Sequence, residues 1–168
     1  MAEFNKNMLS PVGFSFNIKK SPALNFFVTN VTIPGINLGF IEQPTPFKKV
    51  PVYGDHIEYD SLSVSFKVNE DLSNYIEVYD WLIALGFPES FEQFKSLSDN
   101  PTFTGAGLQS DASLMVMSSA MNPLIRVDFE DLFPTSLSAL EFNSTDTAID
   151  YIQCTAEFKF TKFLFVKV

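Results

Sequence analysis

A chain of 168 residues with one histidine, one cysteine and a formal net charge of −9 lacks the materials for several chemistries. His56 alone excludes a two-histidine zinc site, and Cys154 alone excludes an internal disulfide or a cysteine metal cluster. The acidic balance argues against a protein that grips phosphates, which needs a basic face. The rest of the composition suits one folded domain over residues 1–168, with 46% apolar residues, 18% charged residues and 19 Phe. A single domain of this length buries roughly 70% of its unfolded surface, so it needs no metal or disulfide to hold a core. Met1 to Pro11 lacks the apolar core of a cleavable signal, and every aromatic-rich run is short of a membrane span. The expectation is a soluble protein made in a reducing cytoplasm.

The dominant period along the chain is two. Phe14, Phe16 and Ile18 alternate with Ser15, Asn17 and Lys19, which predicts the first strand. Further strands are expected at Asn25 to Ile33 and Gly39 to Gln43. Gln43 to Tyr59 carries Pro44, Pro46, Pro51 and Gly54 and reads as a long turn-rich loop between strands. Leu62, Val64, Phe66 and Val68 then alternate with Ser61, Ser63, Ser65 and Lys67. From Asn74 to Leu85 the period changes. Tyr75, Ile76, Tyr79, Leu82 and Ile83 form a helical stripe expected to pack on the sheet, with Asn74 as cap and Glu77 as its capping-box partner. Gly86 and Pro88 stop this helix. A weaker helical turn is expected over Glu89 to Leu97, and a mobile loop over Ser98 to Asp111. Ser113 to Ser118, Ile125 to Phe129 and Ile152 to Phe160 complete six to eight strands. The fold class is mainly β: an antiparallel β-barrel or sandwich with one flanking α-helix.

No residue set points to catalysis. His56 sits in Gly54-Asp55-His56 with no nucleophile elbow beside it. Asp55, His56, Glu58 and Asp60 lack calcium-loop spacing and read as a solvated turn. Gly105-Ala106-Gly107 lacks the lysine and hydroxyl residue of a phosphate loop. Cys154 falls on the apolar side of its strand and reads as core. No catalytic residue, cofactor or metal is expected. Charge is uneven, net +3 over residues 1–54, −8 over 55–94, −6 over 95–150 and +2 over 151–168. Positive ends and an acidic middle can complement one another between copies of the chain.

Five segments occur in a telling order: Asn30-Val31-Thr32-Ile33-Pro34-Gly35, then Lys49 to Asp55, then Ser61 to Glu70, then the helix with Asp80-Trp81, then Asp131-Leu132-Phe133-Pro134-Thr135-Ser136 and a long final strand. In this order the chain resembles the tail tube proteins of contractile-tail bacteriophages, from about Pro11 to Lys162. The resemblance implies a small β-barrel or sandwich with a flanking helix. It implies homohexameric rings that stack into an inner tube, with a contractile sheath around it. Baseplate and tape-measure proteins would be further partners. Phage DNA would pass the lumen without specific binding, and no small-molecule substrate is implied. The place would be the virion tail, assembled in the host cytoplasm. Phe163 to Val168 runs past the family's usual finish, which leaves room for a tube initiator or terminator, or for the tube protein of a related injection system. A small-molecule-binding barrel is the alternative from another class. Lys48, Lys49, Val50, Pro51, Val52, Tyr53, Gly54 and Asp55 are the expected inter-ring contacts, because the prolines of the Gln43 to Tyr59 excursion lower the ordering cost of a protruding arm. Lys159 and Lys162 are the one set that could form a basic ring in the lumen.

Overall fold

The structure is a computed structural model, and it describes residues 8–86, 89–92, 95, 108–144 and 151–168. Two antiparallel sheets face each other, and one long strand belongs to both. The first sheet is built from β1 (Phe14–Ile18), β6 (Ser110–Met117), the first half of β7 (Pro123–Leu137) and β9 (Lys162–Lys167), in the order β1-β6-β7-β9. The second holds β2 (Val28–Thr32), β5 (Leu62–Lys67), β8 (Gln153–Lys159) and the second half of β7, in the order β2-β5-β8-β7. β7 changes sheet at Asp131, whose φ is +57°. The Glu130 carbonyl there accepts from Thr161 N–H at 3.0 Å, so the β8–β9 corner bends together with β7. A strand that turns such a corner closes two sheets into one sandwich without an added connection.

Period-two alternation decides which side chains go inside. Phe16 and Ile18, then Leu62, Val64 and Phe66, then Val127 and Phe129, then Cys154, Ala156 and Phe158 are buried between the sheets. Their polar neighbours stay partly or fully exposed. At the corner, Tyr59, Phe129, Phe160 and Phe163 form an aromatic cluster with ring centroids 5.3 to 5.9 Å apart. Offset and edge-to-face rings add to the area they bury. The expected long final strand is therefore two strands, β8 and β9, broken where Phe160 and Phe163 both turn inward.

Among the described residues, helices α1 and α2 cover one side. α1 (Pro22–Phe27) lies where the first part of an Asn25–Ile33 strand was expected. Pro22 opens it, a residue suited to the first helical turn. The Asn25 amide fastens it to β1, accepting from Ile18 N–H at 2.7 Å and donating to Ile18 O at 3.1 Å. α2 (Ser73–Gly86) falls where the helical stripe predicted a helix, but its buried face differs. Asn74, Val78, Trp81 and Ala84 are buried, and Tyr75 and Leu85 pack partly against the core. Ile76 and Tyr79 are exposed, and Leu82 and Ile83 are only half-buried. The physical reason is Trp81, the largest buried side chain, which packs on Phe158 and donates to Leu108 O at 2.8 Å. Its area outweighs two isoleucines, so the helix turns the side of Trp81 inward.

The cap also differs from expectation. Asn74 is fully buried inside the helix, not at its end. Its side chain donates to Lys67 O at 2.8 Å and accepts from Asn69 N–H at 3.4 Å, pinning the end of β5. Asp71 Oδ1 accepts from Ser73 N–H at 3.2 Å and satisfies the helix start instead. The Glu77 carboxyl is pushed up by burial against a backbone hydrogen bond from Ala23. The helical turn expected over Glu89–Leu97 and the loop expected over Ser98–Asp111 lie mostly outside the described residues; Ser110 and Asp111 already belong to β6.

The turn-rich loop expected over Gln43–Tyr59 is instead a strand. β3 (Ile36–Pro44) and β4 (Lys49–Tyr59) form a separate two-stranded hairpin. Pro44 and Pro51 stand on it because a two-stranded ribbon has two outer edges that need no ladder donor. Pro46 marks the tight turn, where Thr45 N–H donates to Lys48 O at 3.0 Å.

Candidate assembly surfaces

Among the described residues no group of His, Cys, Asp or Glu is arranged to hold a metal ion, and no helix is long and apolar enough to cross a membrane. His56 Nδ1 lies 2.6 Å from Asp55 Oδ1, but both side chains are almost fully in solvent. Cys154 is buried, and burial pushes its thiol up, so it is a core residue as expected. The sites worth describing are surfaces.

The hairpin is the most prominent. At about 3.3 Å per residue its strands reach about 30 Å. Its register places Ile36 opposite Tyr59, Leu38 opposite Ile57 and Phe40 opposite Tyr53, all on one face. Phe40 is 68% exposed and Tyr53 83%, so that apolar face is uncovered in the single chain. Phe47 at the tip is 97% exposed. Exposed apolar surface on this scale marks an interaction site. Near the middle the register shifts by two residues, so Gly54, Asp55 and His56 bulge from β4. A Cβ on Gly54 would sit 2.5 Å from Gly39 O, which is why a glycine stands there.

The eight expected contact residues all lie on this arm. Lys48 is at the tip, Lys49 to Tyr53 are paired along β4, and Gly54 and Asp55 are in the bulge. Lys49 Nζ bridges to Glu42 at 2.7 Å within the hairpin. The apolar half of the arm, Ile36, Leu38, Phe40 and Ile57, was missed at the sequence level. Its signal was the alternation Ile36, Leu38, Phe40, of which the strand expected over Gly39 to Gln43 took in only Phe40, and the prolines made Ile57 read as loop.

A second surface is the edge of the first sheet. β9 pairs only with β7, so its outer row of backbone groups faces outward. Leu164, Phe165, Val166 and Val168 on and after it are 49%, 62%, 37% and 66% exposed. At the other end of the same sheet β1 pairs only with β6. The solvent face between these edges carries Ser15, Asn17, Ser113 and three ion pairs. These are Lys19–Asp111 at 2.7 Å, Arg126–Asp128 at 2.9 Å and Lys162–Glu130 at 3.0 Å. Lys162 is thus neutralised, and Lys159 Nζ donates to Tyr59 O at 3.1 Å, so neither stands ready as a free basic ring. The third surface is the outward face of α2, with Ile76, Tyr79 and half-buried Ile83 beside Asp80.

The fold is shared with proteins of known contractile machines. The tube-terminating cap of the anti-feeding prophage aligns with a TM-score of 0.60 over 100% of this chain and 97% of that one, at 12% identity. The sheath-tube complex of the extracellular contractile injection system PVC aligns with 0.58 over 97% and 94%, at 14% identity. The chain has the tail-tube fold. In sequence it is 26% identical over 163 residues to the tail tube terminator protein of Enterobacteria phage T4, covering 94% of this chain and 88% of the relative. No family model matches the chain. The relatives favour the terminal tube subunit over the main tube subunit, the reading placed first from sequence.

Proposed function

We propose that the chain terminates the inner tube of a contractile tail. One ring of six copies sits on the last tube ring, stops tube growth and leaves the channel open. The observation that carries this reading is the near full-length likeness to a tail tube terminator. The open edges support the ring. β9 of one copy pairs with β1 of the next, which satisfies the backbone groups both leave outward. The whole chain acts as one tail-tube domain. In such a ring the solvent face of the first sheet lines the channel. Its paired charges and hydroxyls give phosphates little to grip, so phage DNA passes without specific binding. Tube and sheath are the neighbouring proteins, and assembly precedes release from the host cytoplasm. Light scattering on the size-fractionated protein tests the ring: six copies of an 18.9 kDa chain give about 113 kDa. A particle that stays at the mass of one chain at every concentration overturns the reading.

A further inference from the structure

Helix α2 is apolar on both sides. Val78, Trp81 and Ala84 point into the core, while Ile76, Tyr79 and Ile83 run along the opposite side at a spacing of three and four residues. A helix apolar all round is normally buried all round, yet Ile76 is 45% exposed and Tyr79 48% exposed in the single chain. Acid lies beside this outer stripe: Asp80 is exposed within it, and Glu70 and Asp71 are in the turn before the helix, while no basic residue occurs from Glu70 to Gly86. The hairpin arm offers the opposite character. Its apolar face of Ile36, Leu38, Phe40, Tyr53 and Ile57 is uncovered, and Lys48 and exposed Phe47 are at its tip.

We infer that the hairpin arm of one copy docks on the outer face of α2 of the next copy in the ring. This rests on the proposed ring. The arm's reach of about 30 Å lets it leave its own sandwich and cross a neighbour. The apolar face covers the stripe, and the basic tip lies against Asp80 and the acidic turn before α2. Two surfaces that a lone chain leaves wet are buried in one contact, and opposite charge sets its direction. Lys48 is the cation that makes this contact, since Lys49 is paired with Glu42 inside the hairpin.

The test uses the full chain. Phe40→Cys and Tyr79→Cys are made separately, dissociated, mixed and allowed to reassemble before mild oxidation. Buried Cys154 stays out of the reaction. A disulfide-linked dimer is expected in the mixture and in neither variant alone. In parallel, Lys48→Glu should raise the concentration for half-assembly by about tenfold, and Asp80→Lys in the same chain should reverse most of that loss. Rings of normal mass with no linked dimer and no charge rescue overturn the docking inference while leaving the ring intact; the α2 face then belongs to another partner, the sheath being the obvious one. A wild-type chain that never leaves the monomer overturns ring and docking together.

Discussion

Truncating Val78 separates the two faces of α2. Val78 is fully buried beside Trp81. Val78→Ala removes two methyl carbons, about 1.6 kcal/mol of transfer free energy at about 0.8 kcal/mol each. The residual cavity adds to this, because packing around Trp81 collapses only partly, and brings the cost to about 2–3 kcal/mol. In a chain of this size 1 kcal/mol moves Tm by about 2–4 °C, so the drop should be about 4–12 °C. Ile76→Ala on the outward face should cost under about 1 kcal/mol, since the side chain is half in solvent and alanine is the better helix former. Half-buried Leu82→Ala should fall between, at about 1–2 kcal/mol. Thermal melts followed by circular dichroism, at a concentration where the chain is monomeric, read all three. A large loss at Ile76 with none at Val78 would show that the helix packs through the stripe legible in the sequence and would refute the Trp81 argument.

Asn74→Ala should cost about 1–3 kcal/mol, because it leaves Lys67 O and Asn69 N–H without their buried partner; the urea midpoint checks this. Lys20 lies over the Trp81 ring at 5.0 Å, and burial lowers its ammonium to about 8 from an ordinary 10.5. Between those values the unfolded chain holds a proton that the folded chain has released, so stability should rise with pH across that window. The cost of the buried charge is fully present below pH 8, and Lys20→Met should flatten the slope seen in denaturation at a series of pH values. Assembled rings should not retain duplex DNA on a filter at physiological salt. Retention that falls steeply as salt rises would contradict the neutral channel wall and point to Lys159 and Lys162.

The sandwich was legible because one face of each central strand must be buried. The serines of β5 and the charged residues of β8 write that alternation into the sequence. The hairpin was legible only in part: Gly39 to Gln43 was expected as a strand, but β4 was read as a loop, because an arm with neither face in the core is under no such constraint. Its prolines and glycines are the residues of an edge strand and a bulge, and they are also the residues of a loop. The stripe on α2 was read correctly as apolar and assigned to the wrong side. Periodicity shows that a helix has an apolar face, but a helix used in assembly has two. Only the size of Trp81 separates them, and period carries no information on size. The division of the last strand at Phe160 was hidden because aromatic residues on both sides of a corner continue the alternation across it. The contact residues Lys48 to Asp55 were expected on a loop, and they lie at the tip and along one strand of the hairpin.

Electron microscopy of the purified protein, alone and mixed with preformed tubes of a contractile tail, tests the claim that it terminates a tube. Alone, the protein should form single rings with a central hole and should not lengthen as concentration rises. Mixed, it should be found only at one end of each tube, and tubes so capped should stop growing. Long open tubes built from this chain by itself would contradict termination and make it a main tube subunit.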